Sequence, residues 1–146
     1  MAGRPRRSGS TGCRGGSYRT GVPLDPGLTG KTSAVVADAD TARAMGTGEV
    51  EVLATPRLIA LCEEACCRAL AGALDAPQTS VGVRVQLDHL APVRVGTTVA
   101  AEATLERVEG RRLVFAVSAV DSAGLVAAGR MTRVVVDTAS FLAKAR

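Results

Sequence analysis

Tryptophan does not occur in the 146-residue chain, tyrosine occurs once and phenylalanine twice. Aromatics make up 2% of the chain and hydrophobic residues 47%, so the core must be built from Val, Leu and Ala. An aromatic stacking platform for single-stranded nucleic acid is thereby excluded. Histidine also occurs only once, and the four cysteines form no Cys-x-x-Cys pair, which leaves a structural or catalytic metal without a ligand set. No stretch approaches the ~18 uninterrupted apolar residues of a membrane span, so neither a metal cofactor nor a membrane partner is expected.

Acids are absent from the first twenty residues, which hold Arg4, Arg6, Arg7, Arg14 and Arg19. The rest of the chain carries 13 basic against 14 acidic residues. The net charge of +4 therefore belongs to a tail rather than to a domain surface, and it gives no nucleic-acid footprint. Residues 1–30 hold eight of the 16 glycines and show no apolar periodicity. We expect residues 1–27 to be a disordered Arg/Gly-rich tail and 28–146 to be one domain. The tail has the Arg-rich, acid-poor composition of a transit peptide, and its Arg-Arg pair that of a twin-arginine signal, but no apolar h-region follows. Cys62, Cys66 and Cys67 fall within one helical pattern, where Cys62 and Cys66 lie one turn apart in poor geometry for a disulfide. They read as small core residues of a protein in a reducing compartment, the cytoplasm.

What is present is a β pattern, one long helical pattern and then four more β patterns. The runs TSAVVA (32–37) and EVEVLA (49–54) read as short strands. Thr55 and Pro56 read as an N-cap hydroxyl and a first-turn proline. Pro77 closes a helix of about 19 residues, or ~28 Å. Strand patterns follow at 79–90, 97–110, 111–121 and 124–137, with turn signals at 109–110 and 121–124. One long helix and a meandering antiparallel sheet make an α+β plan in which the sheet wraps the helix, the hot-dog fold.

The helix carries adjacent glutamates that its own geometry separates. At ~100° per residue, Arg57, Glu64, Arg68 and Asp75 cluster on a polar stripe, where Glu64 and Arg68 form an i,i+4 pair. Glu63 falls among Ile59, Cys67, Leu70 and Leu74, facing the sheet. A carboxylate aimed into an apolar face is costly without a partner. The lone histidine offers one. In the strand at 79–90, alternation puts Val81, Val83, Val85, Leu87 and His89 on the inner face and Arg84, Gln86 and Asp88 on the outer one. His89 is thus expected to meet Glu63, with Asp88 turned away. Arg133 is expected on the same strand face as Leu125, Ala127, Met131 and Val135 unless a bulge reverses it.

The segments LATPRLIALCEEACCRAL, SVGVRVQLDHLAP, VEGRRLVFAVSAVD and GRMTRVVVD resemble the fluoroacetyl-CoA thioesterase family, in consistent order from about residue 49 to Lys144. The resemblance implies a homodimer with the hot-dog fold that acts on acyl-CoA without a cofactor. It lays the family's catalytic threonine, glutamate and histidine on Thr55, Glu63 and His89, an acyl-site glycine on Gly82 and a site arginine on Arg133. Thr55 is open to two readings, catalytic group or helix cap. Where family members specialised for fluoroacetyl-CoA carry phenylalanines, this chain reads MGTGEVEVLAT, so a plainer short or small acyl group is expected.

The expected chemistry is thioester hydrolysis at a dimer-interface cleft. Glu63 acts as nucleophile or as general base, His89 moves protons, and the Gly82 N–H approaches the oxyanion. Arg111, Arg112 and Arg133 are candidates for the phosphates of coenzyme A; for Arg111 and Arg112 the alternative is an exposed turn. A hot-dog hydratase or dehydratase and a non-catalytic acyl-CoA binding module remain alternative readings.

Overall fold

The computed structural model describes residues 24–146. The tail expected over residues 1–27 therefore lies mostly outside the described residues. Within them, Leu24 is buried in the core and the Gly27 N–H donates to the Leu105 carbonyl at 2.8 Å.

Five strands form one antiparallel sheet: β1 (Thr29–Val35), β2 (Gln78–His89), β3 (Thr98–Glu109), β4 (Arg112–Asp121) and β5 (Gly124–Asp137). Their spatial order is β1-β3-β4-β5-β2, which puts β1 and β2 at the two edges. Two short helices, α1 (Ala42–Met45) and α3 (Thr138–Leu142), flank the one long helix, α2 (Thr55–Ala69). No helix among the described residues is long and apolar enough to cross a membrane.

Helix α2 buries Leu58, Leu61, Cys62, Ala65, Cys66 and Ala69 against the sheet. It packs over β1 and β3 and leaves the inner face of β2 largely open. Close approach to β1 depends on Gly30, where a methyl group would collide with the backbone of Ala65 and Ala69. Among the described residues the core is Leu, Val, Ala and Cys with Met131 and a single aromatic, Phe115.

The structure corrects several expectations; Cys67, read as a core residue with Cys62 and Cys66, is exposed. The EVEVLA run is not a strand: it is irregular chain, tied down by the isolated bridges Thr41 to Leu53 and Val52 to Arg94. Its alternation is not matched by burial: Val50 is exposed, and only Leu53 and Ala54 reach the core. Helix α2 has 15 residues rather than about 19, because the chain turns after Ala69, well before Pro77. Ala54 is its N-cap and Thr55 its first residue, so the Thr55 hydroxyl does not cap the helix. Finally, β2 carries a bulge between Gly82 and Arg84. An extra residue there shifts the alternation by one. Val81 pairs with Val134 on the outer side, whereas Ser80, Gly82, Val85, Leu87 and His89 pair with Val135, Arg133, Met131, Gly129 and Ala127 on the inner side.

Candidate active site

Two polar groups stand on the inner face of β2, one near each end. At the His89 end, Thr55 Oγ1 and His89 Nδ1 are 2.8 Å apart. The threonine hydroxyl, free of a capping role at the first turn of α2, reaches across to the last residue of β2. His89 Nε2 is buried and has no hydrogen-bond partner among the described residues. With Thr55 donating to Nδ1, the neutral ring holds its proton on Nε2; with Nδ1 donating, Nε2 presents a lone pair. Either state equips Nε2 for proton transfer.

These two residues open onto a cavity of about 350 Å³. Ala42, Thr47, Gly48, Val50, Val52 and Leu53 line one side, and Leu90, Ala91 and Pro92 the other. No aromatic side chain lines it. The irregular segment 42–53, not read as a wall from the sequence, thus supplies half of the pocket.

At the opposite end lies Glu63. Its Oε2 accepts from Arg133 Nη1 at 2.8 Å. Arg133 is only 6% exposed and faces inward with Ala127, Met131 and Val135 as expected, whereas a bulge in β5 opposite Ala119 and Val120 turns Leu125 outward, where it is exposed. Its remaining hydrogen bonds go to one residue: Nε donates to Ser80 Oγ and Nη2 to the Ser80 carbonyl, both at 2.9 Å. Gly82 completes the surroundings, since a methyl group there would stand 2.7 Å from Glu63 Oε2. Beneath this group, burial pushes the Cys66 thiol up to about 12, with the Arg133 charge acting in the opposite direction. Burial likewise raises Cys62 to about 11.

Glu63 and Glu64 separate as helix geometry requires: Glu63 reaches the sheet, and Glu64 is exposed and pairs with Arg68 at 3.1 Å. The partner expected for Glu63 is corrected. The carboxylate is met by Arg133 and the imidazole by Thr55, because His89 lies at the far end of β2 from Gly82. Arg111 and Arg112 are exposed at the β3–β4 turn. Ser80 was missed by sequence reading; the only available signal was a hydroxyl among valines on a strand, visible as inward only once the bulge is known.

An antiparallel sheet curled on one helix is the hot-dog fold, and comparison with known proteins places the chain among the thioesterases of that fold. The family model for the fluoroacetyl-CoA-specific thioesterase FlK matches residues 36–139. The fluoroacetyl-CoA thioesterase of Streptantibioticus cattleyicolor is 40% identical over 96 residues, covering 66% of this chain and 69% of that protein. A solved structure of FlK superposes with a TM-score of 0.78 at 33% identity, covering 83% of this chain and 94% of that one. A Thermus thermophilus member of the thioesterase superfamily gives 0.77 at 28% identity, covering 83% and 90%. The chain belongs to the fluoroacetyl-CoA-specific thioesterase family.

Proposed function

We propose that the protein hydrolyses a small, non-fluorinated aliphatic acyl-CoA to the free acid and coenzyme A, with Thr55, Glu63 and His89 as the reacting groups of a homodimeric enzyme. The observation that carries this is the Thr55–His89 hydrogen bond at the mouth of an aliphatic cavity, which leaves Nε2 unpartnered. Fluoroacetyl-CoA is what the relatives act on. Here the cavity wall from Ala42 to Leu53 is small or aliphatic apart from Thr47, offering a plain acyl chain dispersion contacts and no aromatic ring edge to a fluorine.

The placing of the polar groups supports a dimer. Along α2, Thr55 and Glu63 are eight residues or ~12 Å apart, and His89 and Gly82 are ~20 Å apart along β2. One carbonyl carbon cannot touch both ends. The edge strand β2 is unpaired on its outer side and exposes Val83 and Val85, with Leu90 just beyond. Such an edge invites pairing with a second copy. Antiparallel pairing about a two-fold axis near Gln86 sets Gly82 opposite His89 of the other protomer, because the bulge makes these positions equidistant from the axis. Glu63 of one chain then faces Thr55 and His89 of the other, twice per dimer.

In that site Glu63 Oε1 attacks the thioester carbonyl or takes a proton from the attacking water, while Arg133 keeps Oε2 occupied. The tetrahedral intermediate collapses with cleavage of the C–S bond, and His89 Nε2 passes a proton from water to the departing thiolate; where Glu63 has itself attacked, water then splits the Glu63–acyl anhydride, releasing the free acid and restoring the carboxylate. Gly82, lacking a side chain on the edge strand, gives the thioester room beside Glu63 and its N–H to the oxyanion. The buried, unpaired thiols of Cys62 and Cys66 suit a reducing, cytoplasmic setting.

Thiol release from a panel of acyl-CoAs tests the reading. Acetyl- to butyryl-CoA should be cleaved with kcat/KM at least equal to that for fluoroacetyl-CoA. A strong preference for fluoroacetyl-CoA would overturn the substrate assignment, and consumption of enoyl-CoA without thiol release would point to a hydratase.

A further inference from the structure

We propose that Ser80 and Arg133 form a clamp that positions the Glu63 carboxylate, with Ser80 a positioning residue for the reaction; the inference rests on Glu63 being the reacting carboxylate. A guanidinium set in an apolar layer is costly unless its donors are met. Arg133 lies between Met131 and Val135, both fully buried, and among the described residues its hydrogen bonds go only to Ser80 and Glu63. Such burial does not suit an arginine that collects the solvated phosphates of coenzyme A.

The geometry suits a different task. Ser80 receives two adjacent N–H groups, one on its hydroxyl and one on its own carbonyl, at 2.9 Å each. A planar guanidinium gripped along one edge has its plane and direction fixed. Its third bond, Nη1 to Glu63 Oε2 at 2.8 Å, then points along a set line. A glutamate on a helix surface, 37% exposed at its side chain, would otherwise sample several rotamers. Gripping Oε2 leaves Oε1 as the oxygen that faces the substrate. The Ser80 hydroxyl, on a strand face opposite Val135, bonds to nothing else among the described residues and has no other evident purpose.

Reaction rates depend steeply on such placement. Removing the hydroxyl in Ser80→Ala releases Nε and lets the guanidinium swing. The expected result is a kcat about tenfold lower, the size of one lost charge-assisted hydrogen bond, with KM within about twofold and a melting temperature lower by several degrees, since a buried guanidinium donor is left unmet. Ser80→Thr keeps the hydroxyl and should restore kcat to within about threefold. Arg133→Lys keeps the charge but cannot span both partners, and should lose at least as much as Ser80→Ala.

The decisive comparison places Ser80→Ala in the Glu63→Gln background. A clamp acting through Glu63 predicts no further loss there. The same tenfold loss in both backgrounds, or a raised KM with unchanged kcat in Ser80→Ala, would overturn the proposal. A Glu63→Gln variant with wild-type rate would instead sink the assignment of Glu63 itself, and the clamp with it.

Discussion

Replacing Gly82 with alanine separates what the fold needs from what the reaction needs. The added methyl would stand 2.7 Å from Glu63 Oε2 and 3.4 Å from Arg133 Nη1. An ordinary carbon to oxygen contact is about 3.4 Å, so the carboxylate must retreat by roughly 0.7 Å. It can do so as the far end of a flexible side chain, straining its bond to Arg133, and the Gly82 backbone is not in the left-handed region. Stability should therefore fall by no more than about 1 to 2 kcal/mol. A displacement of ~1 Å at a reacting group can cost about 100-fold, so kcat should fall by roughly 10- to 100-fold. Gly30→Ala is the matched control. Its methyl would meet the backbone of Ala65 and Ala69, which cannot retreat without moving α2 off β1. Overpacking of this kind costs about 3 kcal/mol, or on the order of 10 °C in Tm. Thiol release and thermal unfolding of both variants decide the matter. A Gly82→Ala enzyme with wild-type kcat, or one whose loss tracks a lowered Tm, would refute the reasoning.

Glu63→Gln should lower kcat by at least about 100-fold, whereas Glu64→Gln, losing only an exposed pair with Arg68, should leave turnover within about twofold. His89→Ala should cost roughly 10² to 10⁴, and Asp88→Asn, on the exposed face of β2, should be nearly silent in the same assay. Turnover in ¹⁸O-water followed by mass spectrometry should leave the Glu63 peptide unlabelled if the carboxylate activates water, so that label there would show direct attack, with water opening the anhydride at the Glu63 carbonyl. Leu24→Ala should destabilise the domain by about 2 to 5 kcal/mol in denaturant titration, since Leu24 is 5% exposed within the core.

Local pattern carried most of the architecture. The strands at 97–110, 111–121 and 124–137 were bounded to within a residue or so by alternation and turn residues, and the polar stripe of α2 told Glu63 from Glu64 before any contact was known. What alternation could not supply was the bulge at Val83, since a single extra residue leaves no compositional mark. From that one residue the inward Ser80 and the outward Val81 follow. The partners of the reacting groups were equally out of reach. Thr55 and His89 are 34 residues apart, and Glu63 and Arg133 are 70 apart. The inward His89 and inward Glu63 looked like a pair because one helix and one strand place both between the layers. Only the lengths of α2 and β2 put them at opposite ends.

The account turns on Glu63 and His89 of different protomers sharing one site, and subunit mixing tests it directly. Glu63→Gln and His89→Ala homodimers should each be nearly inactive. After they are unfolded together and refolded in equal amounts, about half of the dimers are mixed, and each mixed dimer holds one site with both native residues. The mixture should then recover about a quarter of wild-type thiol release, with the recovered activity confined to the mixed dimer on tag-based separation. If both residues served from the same chain, every site would keep one defect. A purified mixed dimer no more active than its parents would contradict the shared site.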